Sequence, residues 1–288
     1  MQTTADNILI ATPFGRFAAK AWGPKDGRPF MALHGWLDNA ASFDFLGPRL
    51  GGVRLLALDL AGHGLSEYRP EGVPYHFVDY VRDIVAVAEE IGWERFGLLG
   101  HSLGAAIATL IAGAFPKRVS QLILIEGLGP LASASHELPT SLARSVSEQL
   151  EFSKKRKPVY TSSDEAARAR QQASDISLSA ACALVERGLK PCEGGFTWRS
   201  DHRLRATSPQ RLSEQQVRAF LQRIEAPTLL ILGEEGLGSR YMAIRERATL
   251  LRHLEIVSLP GLHHLHMDLA PAVAHVVNHF FRVHPVKS

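Results

Sequence analysis

The sequence predicts an α/β fold: a mostly parallel sheet with helices on both faces and an inserted helical cap. Three observations lead there. Short apolar runs alternate with helical patterns along most of the chain, the signature of strands joined by crossover helices. That alternation breaks once, between about 128 and 224. The length, 288 residues, suits one large α/β domain or two small ones. The expected division is a core of residues 1–127 and 225–288 with a cap of residues 128–224 between its halves.

Each element has its own signal. "NILIATP" and "RFAAKAWG" read as two early strands around a Pro-Phe-Gly turn. "PFMALHG" (29–35), "VRLLALDLAGHG" (53–64), "RFGLLGHS" (95–102), "QLILIEG" (121–127), "PTLLILGEEG" (227–236) and "LEIVSLPG" (254–261) follow. Each is a short apolar run bounded by turn residues, as expected of strands buried on both faces. Helical patterns lie between them at 77–92, 103–115, 240–252 and 271–283. The 128–224 stretch holds no good buried strand and reads as several short helices rich in Ser, Arg, Gln and Ala. Placed between two sheet strands, it would sit over the C-terminal edge of the sheet, where ligands bind in such folds.

Composition narrows the classes. The chain is 45% hydrophobic and 21% charged, ordinary for a globular protein with a sizeable core. Its 32 basic and 29 acidic residues leave +3, too small and too dispersed an excess to argue for nucleic acid or a membrane. The partner expected is a small-molecule substrate. Two cysteines, Cys182 and Cys192, read as free thiols. The first residues lack the pattern of a signal peptide, and no apolar run approaches the roughly 20 residues of a membrane helix. A cytoplasmic protein is expected.

"LLGHSLGAA" (98–106) carries the chemistry. A Gly-x-Ser-x-Gly pattern alone decides little. Here Gly100 ends an apolar run and Leu103 opens an Ala-rich helix, so Ser102 sits on a strand-to-helix turn, as a nucleophile elbow requires. Side chains two before and two after the serine would collide, and Gly100 and Gly104 relieve that. The helix points free N–H groups at the site, favouring a developing oxyanion. A phosphate-binding turn would want more glycines and often a lysine, and neither is present.

A serine needs a base, and the base an orienting carboxylate. In the usual chain order the histidine comes last. His263, His264 and His266 compete in "LPGLHHLHMDLAP" (259–271), and His263 comes first after the strand. No spaced carboxylate or cysteine completes these histidines as a metal set, so neither metal nor cofactor is expected. For the acid, Glu126 ends an apolar strand, whereas Glu234 and Glu235 lie in a loop. A second oxyanion donor beside the Leu103 N–H is expected from Trp36, after the strand ending in His34-Gly35.

"HGWLDNAASF", "LDLAGHGLS", "LLGHSLGAA", "APTLLILG" and "PGLHHLHMD", in that order, resemble the α/β-hydrolase superfamily from about residue 7 to 283. Together with "FTWRSDHRL" they look most like its serine-hydrolase-like branch. One departure stands out: the position of the family's usual acid is Gly236. The "LILIEGLGP" pattern is instead similar to the haloalkane-dehalogenase branch, which carries its acid after the pre-cap strand. That resemblance favours Glu126, with Glu235 as the alternative. Dehalogenase and epoxide-hydrolase chemistry is disfavoured, because those enzymes use an aspartate nucleophile and this chain has Ser102. By the same pattern Asp59 organises loops.

The resemblance implies a serine hydrolase acting through Ser102, His263 and Glu126, with a small carboxylic ester as the expected substrate and a thioester or lactone fitting the same machinery. Fold and triad do not fix the bond, so carbon–carbon hydrolysis, acyl transfer and non-catalytic ligand binding are rivals. "KKRK" (154–157) reads as a solvated surface. "FTWRSDHRL" (196–204) would either overhang the pocket or pin the cap to the core.

Overall fold

The computed structural model describes residues 5–152, 157–174, 176–236 and 242–286. Its strands are β1 (Asp6–Thr12), β2 (Gly15–Trp22), β3 (Arg28–Leu33), β4 (Val53–Leu58), β5 (Phe96–His101), β6 (Val119–Ile125), β7 (Leu189–Cys192), β8 (Gly195–Trp198), β9 (Thr228–Gly233) and β10 (Leu254–Leu259). Eight form one sheet in the order β1-β2-β4-β3-β5-β6-β9-β10. β1, β2 and β4 pair antiparallel, and every pairing from β4 through β10 is parallel. The mostly parallel α/β sheet expected from the alternation is therefore present.

Helices cover both faces: α1 (Asp79–Glu90), α2 (Leu103–Ala114), α6 (Glu214–Leu221) and α7 (Met242–Ala248) on one, α8 (Ala270–Val283) on the other. Successive strand residues point to opposite faces, which is why the strands are apolar throughout. Met31, Leu33 and Leu98 pack with Ile84, Ile107 and Val217, whereas Phe30, Ala32 and Leu99 pack with Phe43, Val273 and Val277. β10 departs from the expectation of two buried faces. It is an edge strand, and its Ile256 is half exposed.

Between β6 and β9 lie α3 (Leu138–Phe152), α4 (Ser163–Ser174) and α5 (Leu178–Gly188), as expected. The stretch also contains a β7–β8 hairpin that the helical reading omitted. Pro191 makes "LKPC" a poor strand by composition, and Gly194 and Gly195, at φ 84° and 139°, supply the reversal. α6 also falls within the expected 128–224 span, yet its Val217 and Leu221 join the main core. Ala166, Ala167, Ala180, Leu184 and Val185 of α4 and α5 form a separate apolar cluster with Met267.

Lysine and arginine at 154–156 lie outside the described residues. Lys157 is not simply solvated: its Nζ donates to the carbonyls of Trp198 and Ser200 at 3.0 and 2.6 Å. Cys182 and Cys192 are unpaired. No helix among the described residues is long and apolar enough to cross a membrane.

Candidate active site

β5 is buried along its whole length, and Gly97 is part of the reason: a Cβ there would lie 2.2 Å from the Phe30 ring. The strand ends at His101, and Ser102 turns the chain into α2 at φ 52° and ψ −110°. A side chain pays an energetic cost in that region, typically about 1–3 kcal/mol. Close packing holds the turn there. A Cβ on Gly100 would meet the Gly104 carbonyl oxygen at 2.4 Å, in line with the expected collision. Gly104 serves a different neighbour: its Cβ would lie 1.9 Å from the Leu33 carbonyl oxygen of β3. The Ser102 N–H donates to the Ile125 carbonyl at 2.9 Å, tying the elbow to the end of β6.

Glu126 stands immediately beyond β6, also at positive φ (58°), and is only 4% exposed. Its Oε1 accepts the Gly233 N–H at 2.7 Å, and its Oε2 lies 3.0 Å from His263 Nδ1. This pairing places a proton on Nδ1 and leaves Nε2 as the basic nitrogen. His263 is held close to the elbow, because its carbonyl accepts from His101 Nε2 at 2.9 Å. Glu235, the alternative acid, is exposed, and among the described residues its carboxylate has no bond to His263. Gly236 accounts for the departure from the family pattern. A Cβ there would lie 2.4 Å from Glu126 Oε2, so the Glu126 carboxylate fills the space a side chain at 236 would need.

The two expected oxyanion donors follow neighbouring strands, since β3 and β5 pair at Leu33 and Gly100. Leu103 opens α2, where the first N–H groups have no intrahelical acceptor. The Trp36 N–H has no hydrogen-bond partner among the described residues. The Trp36 ring is 52% exposed, and its Nε1 donates to the Leu204 carbonyl at 2.9 Å.

Several contacts hold the inserted segment over this end of the sheet. Arg187 Nε lies 2.9 Å from Asp59 Oδ2, and Asn39 Nδ2 donates to the Leu184 carbonyl at 2.9 Å. Asp59 also accepts the Ala40 and Leu65 N–H groups at 2.7 and 2.8 Å, so it organises two loops. "FTWRSDHRL" pins the segment to the core: Asp201 accepts from the Tyr75 hydroxyl at 2.9 Å, and Arg203 donates to the Arg69, Pro70 and Val73 carbonyls.

One grouping was not anticipated. Asp38, His101 and His264 are buried together behind the site, and Arg170 of α4 pairs with Asp38 Oδ1. A carboxylate therefore does approach the histidine cluster, contrary to the sequence expectation. "HGWLDN" contains the residue, but only the fold brings it to the late histidines. Burial raises the Asp38 pKa, but His264, Arg170 and His101 outweigh it and hold the carboxyl well below its usual range. Burial, aided by the rings of His266, His263 and His264, keeps His101 well below the ordinary histidine value.

Residues 28–177 match a family model described as the alpha/beta hydrolase fold. The human "Serine hydrolase-like protein 2" is 33% identical over 96% of this chain and 93% of its own length. A hypothetical protein of Pseudomonas aeruginosa PAO1 with a crystal structure is 45% identical, at TM-score 0.93 over 96% of this chain and 99% of that one. The thioesterase domain from the curacin biosynthetic pathway is 25% identical, at TM-score 0.85 over 96% of this chain and 99% of that one.

Proposed function

The chain belongs to the α/β-hydrolase fold family, in its serine-hydrolase-like branch, and from that premise we propose that it cleaves a small carboxylic ester, thioester or lactone through an acyl-enzyme. The family supports hydrolase activity. The observation that carries the finer reading is the 3.0 Å contact between His263 Nδ1 and a buried Glu126, beside a serine held at φ 52°.

Ser102 Oγ attacks the acyl carbonyl as His263 Nε2 takes its proton. The Trp36 and Leu103 N–H groups receive the oxyanion, and each such donor is typically worth about 3 kcal/mol in the transition state. Glu126 keeps the ring in the Nδ1–H tautomer and stabilises the imidazolium. Collapse of the tetrahedral intermediate expels the alcohol or thiol, which leaves with the proton from Nε2. Water then repeats the sequence on the acyl-enzyme, releasing the acid and restoring Ser102. The inserted segment acts as a cap that screens this chemistry from bulk water. A cytoplasmic setting belongs to the same reading and agrees with two unpaired cysteines.

A thioester is favoured among the three bonds by the likeness to the curacin thioesterase domain, which spans nearly the whole chain.

The test is labelling with a fluorophosphonate, read by peptide mass spectrometry. Ser102 is the expected adduct. Labelling should fall sharply in His263→Ala and Glu126→Gln and be unchanged in Glu235→Gln. Normal labelling of Glu126→Gln with loss in Glu235→Gln would reassign the acid. No adduct on folded protein would favour the ligand-binding rival.

A further inference from the structure

Asp38, His101 and His264 are 2%, 0% and 6% exposed, and none is needed for the acyl-transfer steps above. One ligand-type atom from each lies within 4.8 Å of the other two. Asp38 Oδ2 is 3.5 Å from His264 Nε2 and 3.7 Å from His101 Nδ1. Neither Asp38 Oδ2 nor His101 Nδ1 has a hydrogen-bond partner among the described residues.

Their electronic character follows from their other contacts. His101 Nε2 lies 2.9 Å from the His263 carbonyl, which can only accept, so Nε2 carries the proton. Nδ1 of the neutral ring therefore presents a lone pair. Asp38 Oδ1 is taken by Arg170, so Oδ2 is the oxygen that faces His101 Nδ1 and His264 Nε2. Two electron-rich atoms thus face each other in the buried interior, a costly arrangement unless a donor or a cation lies between them.

Geometry separates the two simplest bridges. A water donating to both atoms at ordinary lengths of about 2.8 Å would be squeezed to an angle of about 83° across the 3.7 Å gap. An ion about 2.1 Å from each atom would subtend about 124° there and about 113° across the 3.5 Å pair, close to tetrahedral. Gly35 leaves room: a Cβ on it would lie 2.9 Å from Asp38 Oδ2 and 3.0 Å from His101 Nδ1. We propose that Asp38 Oδ2, His101 Nδ1 and His264 Nε2 bind a divalent transition-metal ion of the zinc type. Two imidazoles and a carboxylate suit such an ion. The carbonyl on His101 and the guanidinium on Asp38 orient these ligands from behind.

The ion's role is structural. Asp38 lies two residues after Trp36, His101 precedes Ser102, and His264 follows His263. One ion would fasten the three loops that carry the oxyanion donor, the serine and the base.

The experiment uses full-length protein purified without a polyhistidine tag. Elemental analysis should find about one zinc-type ion per chain, and anomalous diffraction at its absorption edge should place the peak among the three side chains. Chelation should lower the wild-type Tm and leave His264→Gln unaffected, that variant having lost the metal. Asp38→Asn, which keeps the residue's shape, should lose it too. Metal-free protein whose Tm ignores added Zn²⁺, Co²⁺, Ni²⁺ and Mn²⁺, or a water at the cluster in a high-resolution map, would overturn the proposal. Fluorophosphonate labelling of the wild-type protein as purified tests the hydrolase reading, whereas metal content and the anomalous peak test the ion, so the two readings can fail separately.

Discussion

The carboxylate of Glu126 and a side chain at Gly236 compete for one volume. An aspartate at 236, the acid position that the family resemblance implies, would put its Cβ 2.4 Å from Glu126 Oε2. The two positions are therefore coupled, and a double-mutant cycle should reveal it. Glu126→Ala should lower kcat/KM on a small aryl ester by roughly 10³–10⁴-fold, the scale at which a triad acid acts. Gly236→Asp alone should destabilise the protein through overpacking and like charge. Combined, the two should recover at least about tenfold of the lost activity, because Gly236 does not need a positive φ and its carboxylate would enter space that Glu126 has left. Additive losses would separate the two sites. Glu126 was legible because it directly ends an apolar strand. The reason it serves in place of residue 236 was not, since β6 and β9 become neighbours only in the folded sheet.

At the level of elements, the inserted segment depends on a few buried polar contacts with the loops after β3 and β4. Arg187 of α5 is the clearest, because it meets an Asp59 that is wholly buried. Removing one member of a buried ion pair strands the other charge, typically at a cost of about 3–5 kcal/mol. Arg187→Ala should lower unfolding free energy by about 3 kcal/mol, two backbone donors to Asp59 remaining, as read from urea denaturation. A loss below about 1 kcal/mol would mean that the loops hold without it. The core elements were readable because burial on both faces writes continuous apolar runs. The β7–β8 hairpin was not, for it is four residues a side, contains Pro191 and depends on an isolated bridge between Tyr160 and Phe196. The histidine cluster was half readable: "HHLHMD" displays the rings, but Asp38 and His101 arrive from other strand ends.

Over the whole molecule, buried histidines set the response to acid. Burial, against the opposing pull of the Gly35 carbonyl and Asp38, lowers His34 to about 4. Burial and the nearby His34 ring lower His63 to about 3. Each holds a loop as a neutral ring, with Nε2 accepting the Leu60 N–H at 3.1 Å or the Leu37 N–H at 3.3 Å. Below pH 6.5 the unfolded chain binds protons at these residues and the folded chain does not. Stability therefore falls as pH drops from about 6.5 toward 4 and is flat above. Each ring contributes about 1.4 kcal/mol per pH unit inside that window. Urea unfolding at pH 5.5 should thus give about 3 kcal/mol less than at pH 7.5 from these two rings. A His34→Gln variant should show a shallower slope, and an unchanged slope would exclude His34 as a source.

Ser102 at φ 52° has a consequence for inheritance. Glycine occupies such a backbone without penalty, whereas alanine does not. Ser102→Gly should unfold at higher urea than Ser102→Ala, by about 1 kcal/mol, although both are chemically silent; equal midpoints would mean the turn is relaxed. A duplicated gene freed from selection for turnover would then find sturdiness one codon away. In such silent copies, glycine rather than alanine should collect at this position.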